Sequence, residues 1–262
     1  MNAYTPPHAT IGDGPRRVLA LHGWFGDRHA YEPIWPYLDR SGFTYAFMDF
    51  RGYGEAKDQP GAYTMEEVAA DTVALADHLG WDRFSLVGHS MGGKAVERVL
   101  VDAPERVHKL VGINPVPASQ MPFDEQSWGL FSGAPDRPEN RRAIIDFTTG
   151  NRLTGTWLDA MVRHSVECST KEAFAAYLEA WAKSDFHDQV RDREVPVKLI
   201  VGENDPAIGA DFVRDTWLRW HPRPSSRCSR TPATTRRTRP RSRWRPRWSA
   251  FSPRERLVRA PP

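Results

Sequence analysis

Ser90 stands in Gly88-His89-Ser90-Met91-Gly92, between an apolar run, Phe84–Val87, and a helix-like stretch, Lys94–Val101. A serine hydroxyl becomes a useful nucleophile only when a base takes its proton, and the tetrahedral intermediate then needs donors for its oxyanion. A G-x-S-x-G run at a strand-to-helix junction supplies part of this. Its glycines leave no Cβ on either side of a sharp turn, which lifts the Ser90 hydroxyl out of the sheet and points the Met91 N–H into the reaction space. The competing reading is a glycine-rich turn capped by a serine. Position at the junction favours the nucleophile.

The elements that must carry this turn are legible as alternating strands and helices. Arg17–Leu21 reads as a buried strand running into His22-Gly23-Trp24-Phe25-Gly26-Asp27, and Tyr45–Asp49 as a second, ending in Asp49-Phe50-Arg51-Gly52-Tyr53-Gly54. Phe84–Val87, Val107–Asn114 and Val197–Val201 follow as the third, fourth and fifth. Thr64-x-x-Glu67 reads as a capping box opening a helix to about Leu79, with Gly80 placed to stop it. The alternation predicts an α/β fold with a mostly parallel sheet covered on both faces.

Between Pro115 and about Arg193 the alternation gives way to helical patterns around Arg141–Phe147, Thr156–Val166 and Lys171–Lys183, with Ser169-x-x-Glu172 as a second capping box. This predicts a helical insertion over the carboxyl ends of the strands, where open α/β sheets bind ligands. Trp128, Phe131, Phe147, Trp157 and Trp181 are its candidates for lining a substrate pocket. The expected division is a core of residues 1–115 and 194–220, a cap of 116–193 and a tail of 221–262 rich in arginine and proline.

At 262 residues and 40% hydrophobic, the chain is long enough for one domain with an insertion. It has no 18-residue apolar run, so no membrane partner is expected, and Met1–Pro15 lacks the basic start and apolar stretch of a signal peptide. Two isolated cysteines, Cys168 and Cys228, point to a reducing cytoplasm rather than a disulfide framework. No zinc-type Cys/His spacing, P-loop or dinucleotide fingerprint occurs, so neither a metal nor a cofactor is expected.

The net charge of +3 is unevenly placed. His221–Pro262 holds thirteen arginines, no lysine and one acid, Glu255, a balance of +12 that leaves −9 for the rest.

With His22-Gly23-Trp24, Asp49 to Gly54 and Gly88 to Gly92 in this order, the chain resembles the α/β-hydrolase family, in particular its capped serine esterase and perhydrolase-like branch. The resemblance covers Val18 to about Trp220. It implies an oxyanion hole made by the N–H groups of Trp24 and Met91, Ser90 as nucleophile and Asp205 as the acid that orients a histidine. Asp205 lies in Gly202-Glu203-Asn204-Asp205-Pro206 after the fifth strand; Glu203 is the neighbouring alternative, and a turn-forming Asp before proline the plainer one. Serine at the elbow argues against the epoxide hydrolases and haloalkane dehalogenases of this fold, which use aspartate there. The implied substrate is a small acyl compound, cleaved with water.

The implied base is missing. His22 and His89 belong to the oxyanion loop and the elbow, where they are expected to be structural. His8, His29, His78, His108, His164 and His187 all precede Asp205, against the family's Ser-Asp-His order, and His221 is expected at the surface. Where the family has a strand, Gly-His and a helix, Arg223–Pro262 is dense in Arg, Pro, Ser and Thr. Read from the third base of the Arg223 codon, permitted codons give Pro-Glu-Leu-Glu-Val-Leu-Ala-Asn-Ala-Gly-His-Tyr-Pro-Ala-His-Glu. The first histidine then straddles the codons of Ala233 and Thr234. Two of the glutamates require AGA or AGG at Arg227 and Arg239. A single-base slip near His221–Arg223 therefore accounts for the tail, and the chain is expected to be impaired.

Other readings are a C–C bond hydrolase or perhydrolase on the same triad, a ligand receptor that does no chemistry, and a nucleic-acid arm. The last would use Arg239, Arg241, Arg243, Arg245 and Arg247, which alternate with Pro, Ser and Trp. The abrupt change of composition favours the frame slip over the arm, and no nucleic-acid partner is expected.

Overall fold

The structure is a computed structural model, and it describes residues 4–191 and 193–221. Its strands are β1 (His8–Ile11), β2 (Arg16–Leu21), β3 (Phe43–Met48), β4 (Phe84–His89), β5 (Val107–Ile113) and β6 (Val197–Ile200). They form one sheet in the order β1-β3-β2-β4-β5-β6, parallel throughout except for β1, which runs antiparallel to β3. Leu19, Leu21, Ala46, Met48 and Leu86 are wholly buried on one face, and Ala20 and Phe47 are buried on the other, as expected of strands covered on both faces.

The helices are α1 (Met65–His78), α2 (Met91–Asp102), α3 (Glu125–Ser132), α4 (Pro138–Thr148), α5 (Gly155–Glu167), α6 (Lys171–Lys183), α7 (His187–Val190), α8 (Ala210–Asp215) and α9 (Trp217–Trp220). Thr64 caps α1 by accepting the Glu67 N–H, and Gly80 takes the left-handed conformation (φ 68°) just past its end. The Glu67 carboxylate reaches back to the N–H groups of Ala62 and Tyr63, extending the expected box upstream.

The chain moves from β2 to β3 on one side, then crosses to β4 on the other, so β2 is hydrogen-bonded to both. The carboxyl ends of β2 and β4 therefore flank the point where strand order reverses, the place at which such sheets open a crevice. α3 to α7 all lie between β5 and β6 in the chain.

Four expectations need correction. β1 and α3 were not foreseen, because His8–Ile11 and Glu125–Ser132 are short and carry weak periodicity. The cap of α6 is Thr170, which accepts the Ala173 N–H, whereas the Ser169 hydroxyl donates to the Ser165 carbonyl. His221 is not at the surface: it is 1% exposed, its Nε2 is 3.1 Å from Glu97 Oε1, and its ring packs on Trp217. Tryptophans in α9 bring that turn into the core. The tail beyond His221, with the expected frame slip and the arginines of the nucleic-acid reading, lies outside the described residues.

Candidate active site

Ser90 joins β4 to α2 at φ 52°, ψ −118°, a conformation that few residues other than glycine adopt. The turn is pinned on both sides. The Ser90 N–H donates to Ile113 O (3.1 Å), and its carbonyl accepts from Gly93 N (2.8 Å) and Val116 N (2.9 Å). The glycines are required by close approach. A Cβ on Gly88 would sit 2.2 Å from the Gly92 carbonyl oxygen, and one on Gly92 2.3 Å from that of Leu21. Helix α2 can thus pack directly on the ends of β2 and β4.

A cavity of about 400 Å³ opens over this turn. Ser90, Trp24, Asn114 and Asp205 contribute to its wall, with Phe131 and Trp181 among the aromatic residues facing it. Of the five aromatic residues expected there, Phe131, Trp157 and Trp181 line it. Trp128 instead edges onto Phe123 with Lys183 over its ring, and Phe147 belongs to the hydrophobic core.

Trp24 is held firmly. Its ring stacks on Phe174 (centroids 4.0 Å apart) and Phe131 (5.8 Å), its indole N–H donates to Phe174 O, and its carbonyl accepts from the Tyr53 hydroxyl. Met91 is the first residue of α2, so its N–H is one of the four that a helix cannot pair within itself.

Asp205 follows β6 and is part-buried. Its Oδ1 accepts the N–H groups of Ala207 (2.8 Å) and Ile208 (3.0 Å), and its Oδ2 accepts the Asn114 side-chain amide (2.8 Å). Burial raises its pKa above the usual carboxylate value, with these three donors pulling the other way. Asn114 was not singled out from the sequence; its one signal is a polar residue at the end of an apolar strand, where it adopts φ 38°.

Among the described residues, His89 is the one histidine lining the cavity. Burial pushes its pKa down to about 4, so it is neutral at pH 7. His22 is sandwiched with Phe50 (4.1 Å) and Tyr53 (5.1 Å). Its Nε2 accepts the Phe50 N–H, which leaves Nδ1 to donate to the Gly23 carbonyl. His22 thereby braces the loop after β2.

The family model for the alpha/beta hydrolase fold matches residues 16–234. The chain belongs to the α/β-hydrolase family. Among its relatives, a fluoroacetate dehalogenase from a Burkholderia species is 34% identical over 44% of this chain and 38% of its own length. A 3-oxoadipate enol-lactonase from Acinetobacter baylyi is 25% identical over 76% of this chain and 75% of its own. The bromoperoxidase structure from Bacillus anthracis superposes with a TM-score of 0.73 at 20% identity, covering 83% of this chain and 84% of that one. This α/β-hydrolase therefore spans well under half of the dehalogenase and about three-quarters of the lactonase. Among the described residues no helix is long and apolar enough to cross a membrane.

Proposed function

We propose that this α/β-hydrolase is built to cleave a carboxylic ester, lactone or related small acyl substrate through Ser90. In that reading Ser90 attacks the carbonyl, the N–H groups of Trp24 and Met91 hold the oxyanion, and Asp205 orients an imidazole and stabilises it when charged. Residues 116–193 act as the cap. One observation carries the proposal: the left-handed Ser90 at the β4–α2 junction opens on the same cavity as Asp205. The enol-lactonase similarity supports an acyl substrate. Serine in place of an aspartate sets this chain apart from the chemistry expected of dehalogenases.

The histidine that should bridge Ser90 and Asp205 is supplied by the restored frame at Ala233–Thr234, outside the described residues. Loss of a triad member costs roughly 10⁴- to 10⁶-fold in rate, so the chain as it stands is impaired. The test is p-nitrophenyl acetate turnover by this chain, by a frame-restored version and by Ser90→Ala in both. Recovery on restoration that Ser90→Ala abolishes supports the assignment; restored protein that stays inert rejects it. Sequencing the coding DNA checks the slip itself.

A second reading, a ligand receptor without catalysis, is favoured by Asn114 occupying one oxygen of Asp205. It predicts ligand binding indifferent to Ser90→Ala. Two sparse cysteines support a reducing, cytoplasmic setting.

A further inference from the structure

Outside the cavity, the loop that carries Trp24 ends at Asp27, which meets the C-terminal end of α5. His164 lies in the last turn of that helix and Cys168 at its cap, one helical turn further on, so both project towards the same side. One ligating atom from each of Asp27, His164 and Cys168 lies within 4.8 Å of the other two.

Three features of this cluster suit a bound cation. Its donors are a carboxylate oxygen, an imidazole nitrogen and a thiol sulfur, the mixture that suits zinc and cobalt rather than calcium or magnesium, which prefer oxygen alone. His164 Nε2 is 3.4 Å from Asp27 Oδ1. Two ligands about 2.0–2.1 Å from a tetrahedral zinc are separated by about the same length. The third fact is burial: Asp27 is 3% and Cys168 7% exposed, whereas the His164 side chain keeps 38%, leaving one side of the cluster open to solvent.

The carboxylate is already oriented. The His29 N–H donates to Asp27 Oδ1 at 2.9 Å and the His29 ring Nδ1 lies 3.1 Å from the same oxygen, the kind of outer support that metal ligands receive. Without a cation the same groups make an Asp27–His164 ion pair beside a thiol.

We propose that Asp27, His164 and Cys168 form a site for a divalent zinc-type cation, with a fourth position left to water. Bound there, the ion ties the Trp24 loop to α5, whose Trp157 and Met161 line the cavity. Its role is structural: it fixes the spacing between the loop and the cavity wall. The sequence hid this site because Asp27 lies far from His164 and Cys168 in the chain, and the lone His-x-x-x-Cys pair they form on α5 matches no zinc motif by itself.

The test titrates the full chain, stripped with EDTA and dialysed, with Co²⁺ followed by absorbance. One equivalent should bind saturably, giving a thiolate-to-cobalt charge-transfer band and the d–d bands of a tetrahedral ion, and Zn²⁺ should displace it and raise Tm. Cys168→Ser should lose the charge-transfer band and Cys228→Ser should keep it. Asp27→Asn and His164→Ala should each weaken binding by more than about tenfold. Absence of the band in folded wild-type protein, or its survival in Cys168→Ser, overturns the proposal and leaves the ion pair alone.

Discussion

Asn114 donates its side-chain amide to Asp205 Oδ2 at 2.8 Å, while its own amide oxygen accepts the Gly202 N–H at 3.1 Å. One residue at the end of β5 thus ties down the whole turn after β6. Asn114→Ala removes a donor to the charged carboxylate, so the Asp205 pKa, already raised by burial, should rise further. The cost to stability should be about 1–3 kcal/mol. Carboxylate titration by NMR and urea denaturation measure the two effects.

Gly92 has no space for a side chain, because a Cβ there would press on the backbone of Leu21. Gly92→Ala should destabilise the fold by about 1–3 kcal/mol, since backbone cannot yield as a flexible side chain would. Gly129→Ala is the control: a Cβ there meets nothing within 4 Å, and in a helix the change should be neutral or stabilising. Chemical unfolding of both variants checks the contrast.

Lys94 is buried, and its Nζ donates to the carbonyls of Ser119 (3.1 Å) and Ser184 (2.7 Å). Burial pushes its pKa down from 10.5 to about 8. Between those values the unfolded chain holds a proton that the folded chain has released, so stability should rise with pH across that window. In Lys94→Met the rise should vanish, and two carbonyls lose their donor at a cost of about 1–3 kcal/mol. Unfolding curves at pH 7.5 to 10.5 would show both, with a wild-type slope that matches the variant's counting against it.

His89 gives the opposite limb. Its pKa falls from 6.5 to about 4, so below pH 6.5 the unfolded chain takes up a proton that the folded chain resists. Stability should therefore drop as pH falls from 6.5 to about 4, and by less in His89→Asn. Thermal melts across this range compare the two slopes.

The sheet was legible because strands buried on both faces read as plain apolar runs, and the elbow because its glycines have no substitute. β1 escaped since a short edge strand with half-exposed residues has no such run. The place of Asp205 in the turn after β6 was legible, but its partner Asn114 was not: only folding brings the ends of β5 and β6 together. His221 was misplaced because it falls where the family has the turn before its last strand, whereas Glu97, far away in the chain, pairs with it in the interior. Which aromatic residues face the cavity depends on helix rotation, so Trp128 and Phe147 could not be separated in advance from Trp157.

Phe174 of α6 lies flat on Trp24, and the Trp24 indole is fastened to the backbone of that same residue. Helix α6 cannot swing away without dragging the β2 loop along. On α5, by contrast, Trp157 lines the cavity and still meets solvent, so that wall can yield where α6 cannot.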